Sequence, residues 1–384
     1  MSILFDNQNE TLRKRLETWY TQEQRTTIPH EEPVNWPSYI VGILAELIKK
    51  TESSILPVGF NIVVISDVPC NKGVASSAAL EVAVARAACS CLNLDNLISK
   101  TELALLCQFV ENYVVGSSCG FMDQMTCVHA CTDHLFSLLC QHVPNPSFHN
   151  VTIPSNIQLF GIDSGVKRST AGSTYRRVRT ATFMGKQLLN LPDNIHHLCQ
   201  ITLSKFNNQY RMLLPEKLVG KEFQSSLHLD PLSKIDSNEI YPLRAATAHP
   251  IEENFRVQLF EQLLKNDHYL CTDYLSNLGE LMFQADASYR ACDLASDEIN
   301  LLVNLIRQQS LSSSSASPKV LLGAKITGGG GGGTVAILAR KSSDALEAVH
   351  NVVRQYENMT KRQTRIFSGS SSGLIIYPSI TINA

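Results

Sequence analysis

The chain has 384 residues, 44% of them apolar and 18% charged, the balance of a globular protein rather than a disordered one, and enough for one large or two packed domains. A formal net charge of −2 gives no electrostatic reason to expect nucleic acid or an acidic membrane as a partner. Apolar runs such as Leu135–Cys140 and Val82–Ala85 are far shorter than the roughly 20 residues that span a bilayer, and residues 1–10 lack the basic start and long apolar core of a signal peptide. No membrane partner and a cytoplasmic location are the expectations.

Residues 1–30 are polar and mixed, with a helical stretch near Glu10–Tyr20. The spacing of Tyr39, Ile40, Ile43, Leu44, Leu47 and Ile48 predicts a core helix from Trp36 to Lys50. Val58–Ser66, rich in β-branched residues, predicts a strand that Asp67–Lys72 breaks. An alanine-rich helix then runs from about Ser76 to Cys91; Glu81 and Arg86 are its only charges, so it is expected to be buried on most sides. Ser99 and Glu102 form a candidate capping box for a helix reaching about Val115. Gly116–Gly120 reads as a loop, Met122–Cys131 as a helix, Ile157–Asp163 as a strand and Ser173–Leu189 as a helix.

From 190 to 245 the pattern is less regular, interrupted by Pro192, Pro215, Pro231 and Pro242. Helices follow near Ile251–Lys265, Leu275–Tyr289 and Asp297–Gln308, then a Ser-rich tether at Gln309–Pro318. Lys319–Ile326 and Thr334–Ala339 read as strands joined through a glycine run, followed by a helix at about Ser343–Tyr356 and a closing strand near Gly373–Tyr377. No internal repeat is present, and the order of elements predicts an α+β protein with a boundary between 190 and 245.

The 11 cysteines sit singly on apolar segments, without a Cys-x-x-Cys pair. Cys127 and Cys131 could share a helix face, but buried free thiols are a better reading than zinc. His196 and His197 point apart on a helix, and His129 and His134 are off-face, so neither pair makes a metal site. Arg176, Arg177 and Arg179 could meet phosphate, with a solvated helix face as the default. His249 reads as structural.

Three stretches carry chemistry. Pro69–Ala79 lies between a predicted strand and a helix. The first amides of a helix have no intrahelical partner and sit at the positive end of its dipole, and small residues at Gly73, Ala75, Ser76 and Ala78 let a polyphosphate come close. Ser77 adds a hydroxyl for phosphate or Mg²⁺. The order of residues is not that of a Walker loop, and a glycine turn with serine caps would use the same residue types. Glu111 and Asp123, with Gly116–Met122 between them, suit the two acidic tasks of phosphoryl transfer: holding Mg²⁺, and orienting or deprotonating the attacking hydroxyl. Gly328–Gly333, between two apolar strands, favours an ordered turn in which backbone comes close to another segment or a ligand.

Taken together these stretches resemble the GHMP kinase superfamily, which includes galactokinase, homoserine, mevalonate and phosphomevalonate kinases. Pro69–Ala78 matches its Pro-x-x-x-Gly-x-x-Ser-Ser-Ala loop, and Thr327–Gly333 its late glycine motif. Cys119-Gly-Phe-Met-Asp-Gln124 and the segment Asp163–Arg177 are similar to the galactokinase pattern. Val110-Glu-Asn112, Gly161–Gly165, Phe183-Met-Gly185, Ala248–Arg256 and Gly323–Val335 resemble the kinase region of plant-type L-arabinokinases. The resemblance implies a two-lobed α+β fold: a ribosomal S5 domain 2-like N-terminal half and a ferredoxin-like C-terminal half. In it, residues 1–57 would be a partial N-terminal segment, 58–190 the N-terminal domain, 191–245 a connecting region and 246–384 the C-terminal domain.

The resemblance also implies roles. ATP phosphates would be wrapped by Lys72, Gly73, Val74, Ala75, Ser76, Ser77, Ala78 and Ala79. Ser77 and Glu111 would hold Mg²⁺, and Asp123 would be the base or the negative group that positions the acceptor hydroxyl. Cys119, Gly120, Asp123 and Tyr175 would line the site of a small sugar. The implied reaction moves the γ-phosphate of ATP to the C1 hydroxyl of L-arabinose, with galactose as the alternative sugar. One departure stands out: residues 1–60 hold no Gly-Glu-His-x-Asp-Tyr or Gly-Gly-x-x-Asp-Tyr motif. On that resemblance the chain starts inside the N-terminal half of the fold, which leaves open a ligand-binding relative that does not catalyse. Cys292–Glu298, where relatives are richer in glycine, and the serines at 312–315 are further departures.

Overall fold

The structure, a computed structural model, describes residues 36–50, 62–141, 146–166, 173–223, 235–265, 272–311 and 319–374. The stretch near Glu10–Tyr20, the first residues of Val58–Ser66, most of the Ser-rich tether and the end of Gly373–Tyr377 lie outside them. The described residues fall into two compact units, one within Met1–Cys70, Ala75–Asn150 and Ser370–Ala384, the other within Asn71–Val74 and Val151–Gly369.

The first unit is built on four helices: α1 (Pro37–Lys50), α2 (Ser76–Cys91), α3 (Lys100–Tyr113) and α4 (Met122–His129). The apolar stripe of α1 enters a core with Val82, Ala85 and Cys89 of α2, Leu103, Cys107 and Val110 of α3, and Met125 and Val128 of α4. Gly42 sets how near α1 lies to α3: a Cβ there would stand 2.5 Å from Val110 Cγ1. The expected capping box is made, with the Glu102 N–H donating to Ser99 Oγ at 3.2 Å and the Ser99 N–H to Glu102 Oε2 at 2.8 Å. Two short strands the periodicity did not reveal, β1 (His134–Leu138) and β2 (Phe148–Thr152), pair with each other. They are held by Phe136 and Phe148, whose ring centroids are 5.4 Å apart.

The expected strand at Val58–Ser66 is absent where it is described. Residues 62–67 join no ladder, Val63 and Ile65 are 85% and 93% exposed, and β-branched propensity without a hydrogen-bonded neighbour does not make a strand.

The second unit centres on an antiparallel sheet of order β6-β7-β3-β8, with β3 at Ile157–Asp163, β6 at Leu321–Ile326, β7 at Thr334–Arg340 and β8 at Ile366–Ser368. Asp163 stands opposite Thr334 and Ile157 opposite Arg340, so β3 and β7 run together along their full length. The fourth strand is β8 rather than the expected closing strand; Gly373 and Leu374 belong to no strand. Helices α7 (Thr272–Ala291), α8 (Asp297–Leu311) and α9 (Asp344–Thr360) bring Phe283, Ile299, Val303, Ile306, Val349 and Val352 to the sheet core. Gly279 of α7 meets Gly323 of β6 backbone to backbone, and a Cβ on Gly279 would overlap the Leu322 carbonyl.

Helices α5 (Ser173–Leu188) and α6 (Leu243–Lys265) form a second layer of this unit. Between them the proline-interrupted stretch holds short helical turns and a small ladder of β4 (Leu218–Val219) with β5 (Ile240–Tyr241). Helix α6 begins before the expected Ile251, and Pro250 lies inside it. Proline cannot donate to the carbonyl four residues back, and the Thr182 hydroxyl of α5 takes up that Ala246 carbonyl at 3.0 Å. Among the described residues no helix is long and apolar enough to cross a membrane.

Helix α6 carries two titratable groups with displaced pKa values. His249 Nδ1 meets Ser288 Oγ at 2.9 Å and its ring stands edge-on to Tyr289; burial lowers its pKa to about 4 from 6.5. Burial would raise Glu253, but Lys325 Nζ at 2.9 Å and Arg256 Nε at 2.7 Å outweigh it and leave about 2 against 4.5. Between pH 6.5 and 4 the unfolded chain takes a proton that native His249 refuses, so stability is full above pH 6.5 and falls toward pH 4. Glu253 adds a second loss between about pH 4.5 and 2. We predict that thermal melts from pH 7.5 down to 4 show a fall on the order of 3 kcal/mol from His249, and that His249→Gln flattens this part of the curve. An unchanged slope in the variant would assign the effect to other groups.

Candidate active site

Helix α2 begins without a side-chain cap. Its N-cap residue is Ala75, at φ 57°, so the amides of the first turn are left to whatever binds there. Asn71 at φ 61° and Gly73 at φ 70° share this left-handed backbone with Ala75. Alternating left-handed residues turn successive N–H groups toward one side, the arrangement of an anion-binding nest. For Ala75 the conformation costs roughly 1–2 kcal/mol, a strain that the surrounding contacts must hold.

Residues 71–74 belong to the second unit and are held within it. The Thr334 hydroxyl donates to the Lys72 carbonyl at 2.7 Å and the Thr327 hydroxyl to the Gly73 carbonyl at 2.9 Å. Lys72 Nζ lies 2.6 Å from Asp163 Oδ2, and the Gly165 N–H donates to Asp163 Oδ1 at 3.0 Å. The glycine run that separates the two threonines is an ordered turn. Thr327 N–H donates to the Thr334 carbonyl, Gly331 N–H to Leu294 and Gly333 N–H to Val166, while Tyr289 OH donates to the Gly328 carbonyl. Gly73 has the run against it: an added Cβ would lie 3.3 Å from Thr334 N and 3.4 Å from Gly333 Cα.

In the first unit the acids gather around one amide. Gln124 Nε2 donates to Glu111 Oε2 at 2.7 Å and to Glu81 Oε2 at 3.1 Å, and all three side chains are buried. Glu111 also accepts from the Ser77 hydroxyl and the Cys119 thiol. Burial pushes the Glu111 carboxyl up, against the pull of these donors; Glu81 is pushed well up by burial and then by the nearby Glu111 charge. The Cys119 thiol is also pushed up, by burial first and the Glu111 charge second, which keeps it a neutral donor. Asp123, partly exposed, sits beside Gln124 in the first turn of α4, where a carboxylate complements the helix dipole.

The residues read from the sequence thus fall into two sets. Ser77, Glu111, Cys119 and Asp123 gather in the first unit, around Gln124. Lys72 and Gly73 are seated on Thr327, Thr334 and Asp163 in the second. The Cys119 backbone is itself tied down, its N–H donating to Asn112 Oδ1 at 2.7 Å and its carbonyl accepting from Asn112 Nδ2 and Gln108 Nε2. A Cβ on Gly120 would meet open space. Tyr175 lies in the first turn of α5, half-buried against Val178 and its neighbours. The sequence reading missed Glu81 as a member of the acid group, although a lone acid on a helix otherwise read as buried was itself a signal. It also missed the two threonine hydroxyls, which have no periodicity to mark them.

Family models described as "GHMP kinases N terminal domain" and "GHMP kinases C terminal" match residues 38–131 and 259–358. The chain belongs to the GHMP kinase family. It is similar to L-arabinokinase of Arabidopsis thaliana, 33% identical over a match that covers 92% of this chain and 36% of that protein. Galactokinase of Roseiflexus sp. (strain RS-1) is 29% identical, covering 86% of this chain and 73% of that protein; that of Chloroflexus aurantiacus is 30% identical, covering 84% and 70%. The chain therefore spans about a third of the arabinokinase and about three quarters of such galactokinases. Lactococcus lactis galactokinase complexed with galactose superposes with a TM-score of 0.66 at 19% identity, over 90% of this chain and 78% of that one. A mevalonate kinase superposes with a TM-score of 0.51 at 15% identity, over 93% and 81%. At these identities the superpositions show the GHMP kinase fold.

Within that fold, Thr334 should matter through its hydroxyl. We predict that Thr334→Val, which keeps the shape and removes the donor to the Lys72 carbonyl, lowers stability by about 1–2 kcal/mol in urea unfolding. A loss below the error of the melt would show that the loop is seated without this bond.

Proposed function

We propose that this GHMP kinase transfers the γ-phosphate of ATP to the anomeric C1 hydroxyl of a monosaccharide, with L-arabinose as the sugar. The observation that carries the proposal is the group around Gln124: a carboxylate sharing a hydrogen bond with Ser77 at the bare start of α2, and a second carboxylate, Asp123, one residue from Gln124. The choice of sugar rests on the arabinokinase relative, whose match covers nearly the whole chain.

The parts have distinct tasks. The amides at Ser76, Ser77 and Ala78, with the left-handed stretch Lys72, Gly73, Val74 and Ala75, are assigned to the polyphosphate as backbone donors that need no reorganisation; the Ala79 N–H, expected among them, is already given to the Ala75 carbonyl at 3.0 Å. Ser77 and Glu111 fit Mg²⁺: both offer hard oxygen atoms, they already touch, and a buried carboxylate gains from a cation beside it. When bound, Mg²⁺ neutralises charge on the β- and γ-phosphates. Asp123 orients the acceptor hydroxyl and takes its proton as the new P–O bond forms and the bond to the β-phosphate oxygen breaks. Cys119 and Gly120, on the loop before α4, and Tyr175 are assigned to the sugar. Most of the rate then comes from positioning and from charge neutralisation.

A second reading, D-galactose as the sugar, is favoured by the galactokinase relatives, which this chain covers more completely. One experiment separates them. Purified protein with ATP and Mg²⁺ is given a panel of monosaccharides, and ADP release and the phosphorylated sugar are measured. L-arabinose should give the highest kcat/KM, and Asp123→Ala should lower kcat at least about 100-fold. Preference for galactose would replace the substrate; no sugar-dependent ADP release would overturn the proposal.

A further inference from the structure

Glu81 lies one turn beyond Ser77 on α2, fully buried, and the chemistry proposed above does not use it. Its surroundings are apolar: Val82, Ala85, Cys107 and Met125 share the same core. A carboxyl in such a place is costly, and a well-packed apolar residue of similar size would generally be more stabilising. Its carboxyl accepts from Gln124 Nε2 at 3.1 Å, the same nitrogen that donates to Glu111 Oε2 at 2.7 Å. A primary amide has two N–H donors on one nitrogen, in one plane. With Glu111 as its only acceptor the amide could turn about that bond; two acceptors in different directions fix its plane. Gln124 is next to Asp123 in the first turn of α4, so the same anchoring sets where that helix begins.

We propose that Glu81 is a positioning residue of the phosphoryl-transfer site: it holds the Gln124 amide in the orientation that keeps the Glu111 carboxylate on Ser77 and fixes the turn that carries Asp123. This rests on the reading of Ser77 and Glu111 as the cation-holding pair. Glu81 acts through Gln124, the side chain it touches. A bland alternative exists, in which Glu81 merely joins α2 to α4. The two differ in what an apolar replacement does: a joint lost from the core lowers stability, whereas a positioning group lost from it leaves the fold as stable or more so and damages the site.

The test uses the full chain as wild type, Glu81→Leu and Glu81→Gln. Three quantities are measured: the melting temperature, the gain in affinity for a fluorescent ATP analogue on adding Mg²⁺ without sugar, and the separate kcat and sugar KM. Glu81→Leu should melt at or above the wild-type temperature, yet lose at least about tenfold of both the Mg²⁺-dependent affinity gain and kcat, with the sugar KM within threefold. Glu81→Gln, whose carbonyl can still accept from Gln124, should recover most of both losses. Glu81→Met, of similar length, takes the place of Glu81→Leu if that variant does not fold. An affinity gain and kcat within threefold of wild type in the apolar variant would overturn the inference, as would equal losses in Glu81→Gln and the apolar variant. If wild type turns over no sugar, the proposed function falls, but the Mg²⁺-dependent affinity gain still decides the role of Glu81.

Discussion

One side-chain amide, that of Gln124, is shared by two carboxyl groups enclosed in the same apolar interior, and the acidic half of the site follows from it. Glu81 and Glu111 come from α2 and α3, and Gln124 from α4, so three helices converge on a single nitrogen. Burial displaces both carboxyls upward; the Glu111 charge adds to the rise of Glu81, and the Asp123 charge to that of Glu111. Ser77, Cys119 and Gln124 favour the ionised form of Glu111, whereas Gln124 does so for Glu81, which is pushed well up. The network is therefore asymmetric: the acid that faces Ser77 is the one its neighbours prepare for charge.

Residues 71–75 show a complementary constraint. At the start of α2 the usual Ser, Thr, Asp or Asn is replaced by Ala75, so the first amides are not spent on a side-chain cap. Its left-handed backbone has to be held from elsewhere. Residues 72 and 73 are fixed through their carbonyls by Thr334 and Thr327, which leaves their N–H groups out of the clamp. Asp163 then takes the Lys72 ammonium, so the charge of that side chain is balanced within the same unit.

Much of this was readable from residues alone, and for identifiable reasons. Helices α1 and α2 carry their apolar spacing over whole turns, and Ser99 with Glu102 announces α3 through a local bond pair that needs no distant partner. Strands were legible where they are long and β-branched, as at Ile157–Asp163 and Thr334–Ala339. Pairing was not: β1, β2 and β8 are short, and what makes them strands is a partner, each other for β1 and β2 and the distant β3 for β8. Val58–Ser66 failed for the same reason in reverse, having the propensity without a ladder in its described part. Ser77 and Glu111 could be singled out from the order of motif residues, and the structure brings both to the group around Gln124, with Asp123 beside that residue in the chain. Thr327, Thr334 and Gln124 could not, since one hydroxyl in a strand edge or one amide in a helix has no pattern until the chain is folded around it. Pro250 is a related case: its tolerance depends on Thr182, 68 positions earlier.

The turn joining β6 to β7 has a thermal consequence. Five of its glycines, Gly328 and Gly330 to Gly333, sit at positive φ, a region that an unfolded glycine visits as freely as its mirror image. Each therefore surrenders more backbone entropy on ordering than an alanine would, by roughly 0.5–1 kcal/mol. The opposing gain comes from a handful of hydrogen bonds to Leu294, Val166 and Tyr289. Because the entropic part grows with temperature while those bonds do not, warming shifts the balance in this turn sooner than in the strands it joins. Thr327 and Thr334 stand at its two ends, so the same warming slackens the seat of Lys72 and Gly73, whose backbone order becomes a temperature-dependent property of a segment remote from them in sequence.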